Sequence, residues 1–248
     1  MKRAYLTIDD SPSADMRTKV DLLRAKEIPA VFFCRGDLLE QRPDDAIYAI
    51  KNGFIIGNHS YDHPRFSELS MEDCFEQVRR CDEIIDRLYQ RAGVKRPVRW
   101  VRFPYGDKGG FAKMRLFQKF EGEGKRRKVE LQEYVWSLGY SCPDLGVTYE
   151  HWRKLGLDQD IDWYWTYDVM EYMTFSAEPL FGITSLQKVL ERMDEDHPEE
   201  WRGLNSGDSP EVILTHDHEQ TAHMFGPIIE KLLSKGFTFT LPPFEEAK

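Results

Sequence analysis

Two pairs of residues in this sequence have the types and spacing that metal chemistry requires. His59 and His63 lie four residues apart, and Asp9 and Asp10 are adjacent. Two imidazoles and one carboxylate can hold a divalent ion and leave a coordination position open. The second carboxylate can then accept a proton, while the competing interpretation is a turn or helix cap before Pro12. The same donor set also suits non-haem iron, so the ligand types leave the identity of the metal open.

The elements that must position these residues are short apolar runs separated by amphipathic stretches. The runs predict strands at residues 4–8, 30–34, 54–57, 100–103, 163–167, 212–215 and 237–241. Apolar residues at helical spacing predict helices at 71–89, 184–193 and 221–233, the first capped by Ser70. This alternation indicates an α/β fold, either a parallel barrel or a doubly wound sheet. In a barrel the loops after the strands share one face, so polar groups at several strand ends converge there.

Composition and charge narrow the functional class. The 248 residues are 41% hydrophobic and carry a formal net charge of −9, which argues against a nucleic-acid-binding surface. No apolar run approaches the ~18 residues of a membrane span, and the first run ends at Asp9, too early for a secretion signal. The four cysteines lack paired spacing and are expected to be free thiols. We therefore expect a cytoplasmic protein.

Five segments occur in an order that points to one family. They are TIDDSP at residues 7–12, HSYDH at 59–63, RFPYG at 102–106, WTYDVMEY at 165–172 and LTH at 214–216. In these motifs the chain resembles the polysaccharide deacetylase family, the NodB-homology domain, with Ser11 in place of a glycine and Glu171-Tyr172 in place of Asp-Trp. The resemblance implies an α/β fold of the distorted (β/α)7 barrel type in one catalytic domain spanning residues 1–248. The chain departs from the family pattern in an enlarged segment, roughly residues 107–160, between the third and fourth motifs.

The resemblance further implies which residues bind the metal and activate water. Asp10, His59 and His63 would bind a divalent ion, with zinc expected. Asp9 would be the general base, and Arg102 would orient it.

Other implied roles concern the acyl group and the leaving amine. Tyr105 would contribute its backbone N–H to an oxyanion hole, and His216 would protonate the amine with Glu171 tuning it. The rival partner for His216 is Asp168. Leu214 would line the acyl pocket, and one aromatic residue of the 163–167 segment could stack on a sugar ring. The predicted substrate-binding residues are Leu214, Trp165 and Asp168.

Three segments are rich in glycine, proline or charged residues. Residues 106–110, 121–128 and 194–210 are predicted to be irregular, and the basic cluster Lys125–Lys128 is predicted to be solvated, with phosphate binding as the alternative. His218 and His223 are expected at the surface or in packing.

These observations predict a metal-dependent hydrolase that removes an N-acetyl or other N-acyl group from an amino sugar, in a saccharide or a surface-polysaccharide precursor. One alternative is a deformylase or another C–N hydrolase acting on a non-sugar amide. Another is a carbohydrate-binding relative without activity, which the presence of both Asp9 and His216 disfavours.

Overall fold

A computed structural model describes residues 2–110, 122–200, 202–205 and 207–244 of the chain. Its strands are β1 (Lys2–Ser11), β2 (Ala30–Cys34), β3 (Ile55–Asn58), β4 (Tyr167–Asp168), β5 (Glu211–His216) and β6 (Phe237–Phe239). Its helices are α1 (Met16–Ala25), α2 (Gly36–Gln41), α3 (Pro43–Lys51), α4 (Met71–Ala92), α5 (Gly122–Ser137), α6 (Glu150–Lys154), α7 (Leu186–Arg192) and α8 (Ala222–Ser234). Short 3₁₀ turns connect several of these elements.

All the strands of the sheet run parallel, in the order β3-β2-β1-β5-β4, and β6 pairs with the beginning of β1. β1, β2 and β5 are buried along almost their whole length, as parallel strands covered on both faces must be. The register places Asp9 of β1 opposite His216 of β5. The predicted base and acid therefore end neighbouring strands on the same edge of the sheet.

The predicted α/β class is confirmed, while the named strands form an open sheet. A few backbone hydrogen bonds extend it beyond β3. Two of them, from the Asn58 N–H to the Trp100 carbonyl and from the Arg102 N–H to the Asn58 carbonyl, form an isolated bridge, and the Trp163 N–H donates to the carbonyl of Val101 over 2.8 Å. The predicted strands at 100–103 and 163–167 are wrong at these lengths. Pro104 has no N–H with which to continue a ladder, and regular pairing in the second segment is confined to β4.

The long helix α4 shows why the periodic segments were predictable. The hydroxyl of Ser70 accepts a hydrogen bond from the N–H of Asp73 at 3.1 Å, as predicted, and Gly93 ends the helix with φ of 70°. Its apolar side packs on the sheet layer and includes Val78, Cys81 and Ile85. The other two predicted helices correspond to α7 and α8.

The segment from residue 122 corrects one expectation. It was predicted to be irregular through residue 128, but it forms the start of α5, whose Leu131 and Val135 are fully buried. Arg127 donates to the carbonyls of Gly109, Phe66 and Leu69, and Lys128 forms an ion pair with Asp160 at 2.6 Å. The basic cluster is therefore helical, and Arg127 and Lys128 contact other parts of the protein, while Arg126 pairs with Glu123 of the same helix. Residues 111–121, including predicted loop position 121, lie outside the described residues.

The region from 194 to 210 lacks long helices or strands where it is described, as predicted, and contains only the 3₁₀ turn Pro198–Glu200. All four cysteines are free thiols, also as predicted. None of the helices in the described part of the chain combines the length and apolar character that crossing a bilayer requires. That residues 1–248 form one domain stays a prediction.

Candidate active site

Asp9 and Asp10 lie near the carboxyl end of β1 and have different partners. Asp10 has a left-handed backbone conformation with φ of 61°, which turns its side chain away from the alternating pattern of the strand. The Oδ1 atom of Asp9 accepts a hydrogen bond from Nη1 of Arg102 at 2.8 Å. Arg102 is completely buried and also donates to Thr7 Oγ1 at 2.8 Å and to the carbonyl of Trp163 at 3.2 Å. A guanidinium held at these three points restrains the carboxylate of Asp9, while the catalytic role of Arg102 stays a prediction.

Asp10, His59 and His63 form a compact set of metal-ligand atoms. Asp10 Oδ1 lies 3.3 Å from His63 Nε2 and 3.9 Å from His59 Nε2, and one ligand atom from each residue lies within 4.8 Å of the others. Ligand atoms about 2.1 Å from a tetrahedral ion are separated by roughly 3.4 Å, so little movement is needed to hold one. Asp10 Oδ1 is also buried without a hydrogen-bond partner among the described residues. An orphaned carboxylate oxygen facing two imidazoles fits a divalent cation.

The loop that carries both histidines is shaped by its own backbone. Ser60 and His63 adopt positive φ values of 65° and 66°, and Asn58 Oδ1 accepts a hydrogen bond from the Ser60 N–H at 2.9 Å. His59 Nδ1 lies 2.8 Å from the carbonyl of Arg102. Because a carbonyl can only accept, Nδ1 carries the hydrogen and Nε2 is left as the ligand atom.

The surroundings of Asp10 and His63 favour the protonation states that bind a cation. Burial alone would raise the pKa of Asp10, but the hydrogen bond from His218 and the neighbouring His63 and His59 hold it well below its usual range. Burial lowers the pKa of His63 to about 3, against the opposing effect of Asp10. At neutral pH the carboxylate is therefore ionised and His63 is neutral, which are the forms that bind metals.

His216 lies in a second cluster with Glu171 and Asp168. Glu171 Oε1 is 3.3 Å from His216 Nδ1 and also accepts a hydrogen bond from the backbone N–H of His216. Burial opposes charge on the imidazole, but Glu171, aided by Asp168, raises the pKa of His216 to about 10. Asp168 instead accepts from the N–H of Met170, and burial raises its pKa to about 6. The contacts favour Glu171 over Asp168 as the partner of His216.

The remaining predicted residues lie at different depths. Tyr105 is 41% exposed, has φ of 59°, and its ring packs edge-on against His63 with centroids 4.5 Å apart. Trp165 is partly buried and stacks on Tyr164 with ring centroids 4.3 Å apart. Leu214 is 2% exposed and lies on β5 opposite Thr7. Roles in oxyanion and substrate binding stay predictions for all three, and Trp163, Tyr164 and Tyr167 are buried.

One contact of this site was missed from the sequence. His218 was expected at the surface or in packing, but its Nε2 lies 2.9 Å from Asp10 Oδ2. The two residues are 208 positions apart, and only a histidine two residues after His216 hinted at a shared environment.

Comparisons with known proteins agree with the motifs. Residues 1–113 match the family model described as polysaccharide deacetylase. YheN of Bacillus subtilis (strain 168), whose polysaccharide deacetylase assignment is itself provisional, is 26% identical over 238 residues. That match covers 96% of this chain and 66% of YheN. The peptidoglycan-N-acetylglucosamine deacetylase of Bacillus cereus is 31% identical over 103 residues, which are 41% of this chain and 36% of that protein.

Solved structures share the fold. A family 4 carbohydrate esterase from Streptomyces lividans superposes with a TM-score of 0.61 at 20% identity, covering 97% of this chain and 92% of that one. A family 4 pseudoenzyme from Bacillus anthracis gives a TM-score of 0.62 at 17% identity, covering 96% and 63%. Because enzymes and a pseudoenzyme share this fold, the fold alone does not decide activity. Together, the family model over residues 1–113 and these relatives show that the chain is similar to polysaccharide deacetylases, and the solved structures show that it shares their fold.

Proposed function

We propose that this protein is a metal-dependent hydrolase that removes the N-acetyl group from an amino sugar in a saccharide. One observation carries the proposal: Asp10, His59 and His63 form a metal-ligand set close to two further groups. These are Asp9, a buried carboxylate paired with Arg102, and His216, which is paired with Glu171. A metal-ligand set, a general base and a general acid are the three groups that cleavage of an unreactive amide requires.

Asp10, His59 and His63 would hold the ion, and we propose zinc because two imidazoles and a carboxylate match its preferred donors. Such an ion supplies Lewis acidity to the acyl carbonyl and to the attacking water. Asp9 is the group placed to accept the proton of that water. Its Oδ1 is occupied by Arg102, so Oδ2, which lies 3.5 Å from His59 Nε2, is the oxygen directed toward the site.

His216 is the group placed to return a proton to the leaving nitrogen. An amide nitrogen leaves reluctantly unless it is protonated, and the raised pKa of His216 keeps the imidazole charged at neutral pH. Glu171 holds the ring through Nδ1, so the opposite nitrogen, Nε2, is left to face the substrate. The predicted backbone donor, Tyr105, packs against His63 on the rim of the same site.

The test is a panel of acetylated and formylated amino-sugar oligomers together with simple non-sugar amides, assayed for acetate and formate release. The protein is stripped with EDTA and resupplied with zinc. We expect zinc-dependent acetate release from the amino sugars, retained by the control His223→Gln, which changes an exposed histidine of α8. Formate release, or preference for non-sugar amides, would support the alternative C–N hydrolase. Metal binding without any hydrolysis would support a carbohydrate-binding relative. A cytoplasmic substrate stays a further proposal.

A further inference from the structure

The segment His216-Asp217-His218, which follows β5, directs three consecutive side chains to three different places. His216 faces Glu171. The Asp217 carboxylate points into the body of the protein, where it accepts hydrogen bonds from the N–H and hydroxyl of Ser13 at 2.8 and 2.7 Å and from Lys19 at 2.5 Å. With the middle residue anchored in this way, the side chains on either side of it face the site.

His218 reaches one oxygen of Asp10, and the metal-ligand atoms face the other. His218 Nε2 is 2.9 Å from Asp10 Oδ2. Asp10 Oδ1 is the atom that lies 3.3 Å from His63 Nε2 and 3.9 Å from His59 Nε2. An ionised carboxylate only accepts hydrogen bonds, so Nε2 of His218 is the donor in this contact. The two oxygens of Asp10 therefore have separate partners.

The imidazole of His218 is held in place by its own surroundings. The carbonyl of His218 accepts hydrogen bonds from the backbone N–H and the hydroxyl of Thr221 at 3.2 and 3.3 Å. Its ring stacks on His216 with centroids 5.5 Å apart and an interplanar angle of 22°, and Phe175 packs edge-on against it at 5.3 Å. Rings packed on both sides restrict rotation of the side chain, so the donor is preorganised toward Asp10.

We propose that His218 is a positioning residue for the metal site, which holds Oδ2 of Asp10 so that Oδ1 faces the ion. This inference rests on the proposed function, because it requires Asp10 to be a metal ligand. Groups hydrogen-bonded to ligands set their orientation, and losing one commonly weakens metal binding by about 10–100-fold. His218 is not assigned as a ligand, because its Nε2 donates to Asp10 Oδ2 rather than to the oxygen that lies near His59 and His63.

The test is a zinc titration of the full-length, metal-free protein in competition with a chromogenic chelator. It compares the wild type with His218→Leu, His218→Gln and His218→Asn, and with His223→Leu as the matched control at an exposed histidine. We expect His218→Leu to weaken zinc binding by about 10–100-fold. The Gln side chain places an N–H near the position of Nε2 and should restore most of the affinity, whereas Asn is too short to reach Asp10 and should not. Circular dichroism and thermal unfolding of the metal-free variants check that each is folded.

Each outcome decides between interpretations. Equal zinc affinity in the wild type and His218→Leu overturns this inference and leaves the proposed function intact. Equal loss in His218→Leu and His218→Gln makes His218 a direct ligand and overturns the positioning role. Absence of zinc binding by the wild type overturns the inference and the metal part of the proposed function together. If His218→Leu does not fold, the zinc affinities of His218→Gln and His218→Asn are compared instead. Tighter binding by His218→Gln supports the positioning role, and equal affinities overturn it.

Discussion

His63 and His216 belong to two clusters of the same chemical type, with opposite charge states. Each cluster contains histidine and carboxylate groups whose ligand atoms lie within 4.8 Å of one another. Yet the pKa of His63 is lowered to about 3, and that of His216 is raised to about 10. Both imidazoles are largely buried, so desolvation alone does not separate them.

The charged groups around each imidazole account for the difference. Burial lowers the pKa of His63, and although Asp10 opposes this, the neighbouring His59, Arg35 and His216 add to it. Around His216 a single imidazole faces Glu171 and Asp168, and two carboxylates favour its charged form. A neutral imidazole can bind a metal and a charged one can donate a proton, so the surroundings of His63 and His216 favour different roles.

The largest expected effect separates the two aspartates of β1. Asp9→Asn should keep the metal while kcat/KM falls by roughly 10²–10⁴-fold, because a positioned general base is lost. Asp10→Asn should weaken metal binding itself, since it removes the carboxylate that faces His59 and His63. Zinc content after dialysis and steady-state kinetics, measured on the same preparations, distinguish these results.

The outcome that breaks this assignment is also specific. Asp9 Oδ2 is 3.5 Å from His59 Nε2, slightly nearer than Asp10 Oδ1 at 3.9 Å. Loss of metal in Asp9→Asn with retention in Asp10→Asn would show that the roles are exchanged. We favour Asp10 as the ligand because Arg102 neutralises Asp9, and only Asp10 contacts both His59 and His63.

A smaller effect is expected at the cluster of Asp168, Glu171 and His216. Glu171→Gln keeps an oxygen that can accept the His216 N–H but removes the negative charge 3.3 Å from Nδ1. The pKa of His216 should fall, so the basic limb of the pH–rate profile should move to lower pH. Asp168→Asn should move it much less, because Asp168 is bonded to the Met170 N–H rather than to the imidazole. A larger shift from Asp168→Asn would make Asp168 the partner instead.

The sequence predicted the strands that carry the site better than those that complete the sheet. β2 has the predicted bounds because it is an unbroken apolar run buried on both faces. The segments at 100–103 and 163–167 are also rich in large apolar residues, but their pairing is limited to a few hydrogen bonds between residues far apart in sequence. The spacing of apolar residues predicts which side chains are buried, but it does not predict which backbone N–H and C=O groups form hydrogen bonds with another strand.

Helix α5 and His218 were missed for related reasons. Residues 122–128 contain two glycines and several charged residues, a composition typical of a loop. The structure shows a helix instead, because Leu131 and Val135 of the same helix are buried in the core. His218 becomes important only through a contact with Asp10, at the opposite end of the chain. Such pairings depend on the strand register, which no local pattern contains.

The smallest expected effect is on the pH dependence of stability in the metal-free protein. An unfolded histidine has a pKa of about 6.5, and the pKa of His216 in the folded protein is about 10. The folded state therefore holds this proton more tightly, and the stabilisation is complete below about pH 6.5 and is lost as the pH rises toward 10.

In Glu171→Gln the pKa of His216 in the folded protein should lie nearer 6.5, so the free energy of unfolding should fall less between pH 6.5 and 10 than it does in the wild type. Urea unfolding at several pH values in this range measures both slopes, and Glu171 itself, whose pKa lies below its usual value, does not titrate between pH 6.5 and 10. His216→Gln, which removes the titrating group, should match the shallower slope. Equal slopes in all three proteins would mean that the charge of Glu171 does not hold the proton on His216, and the contrast between the two clusters would then lose its electrostatic basis.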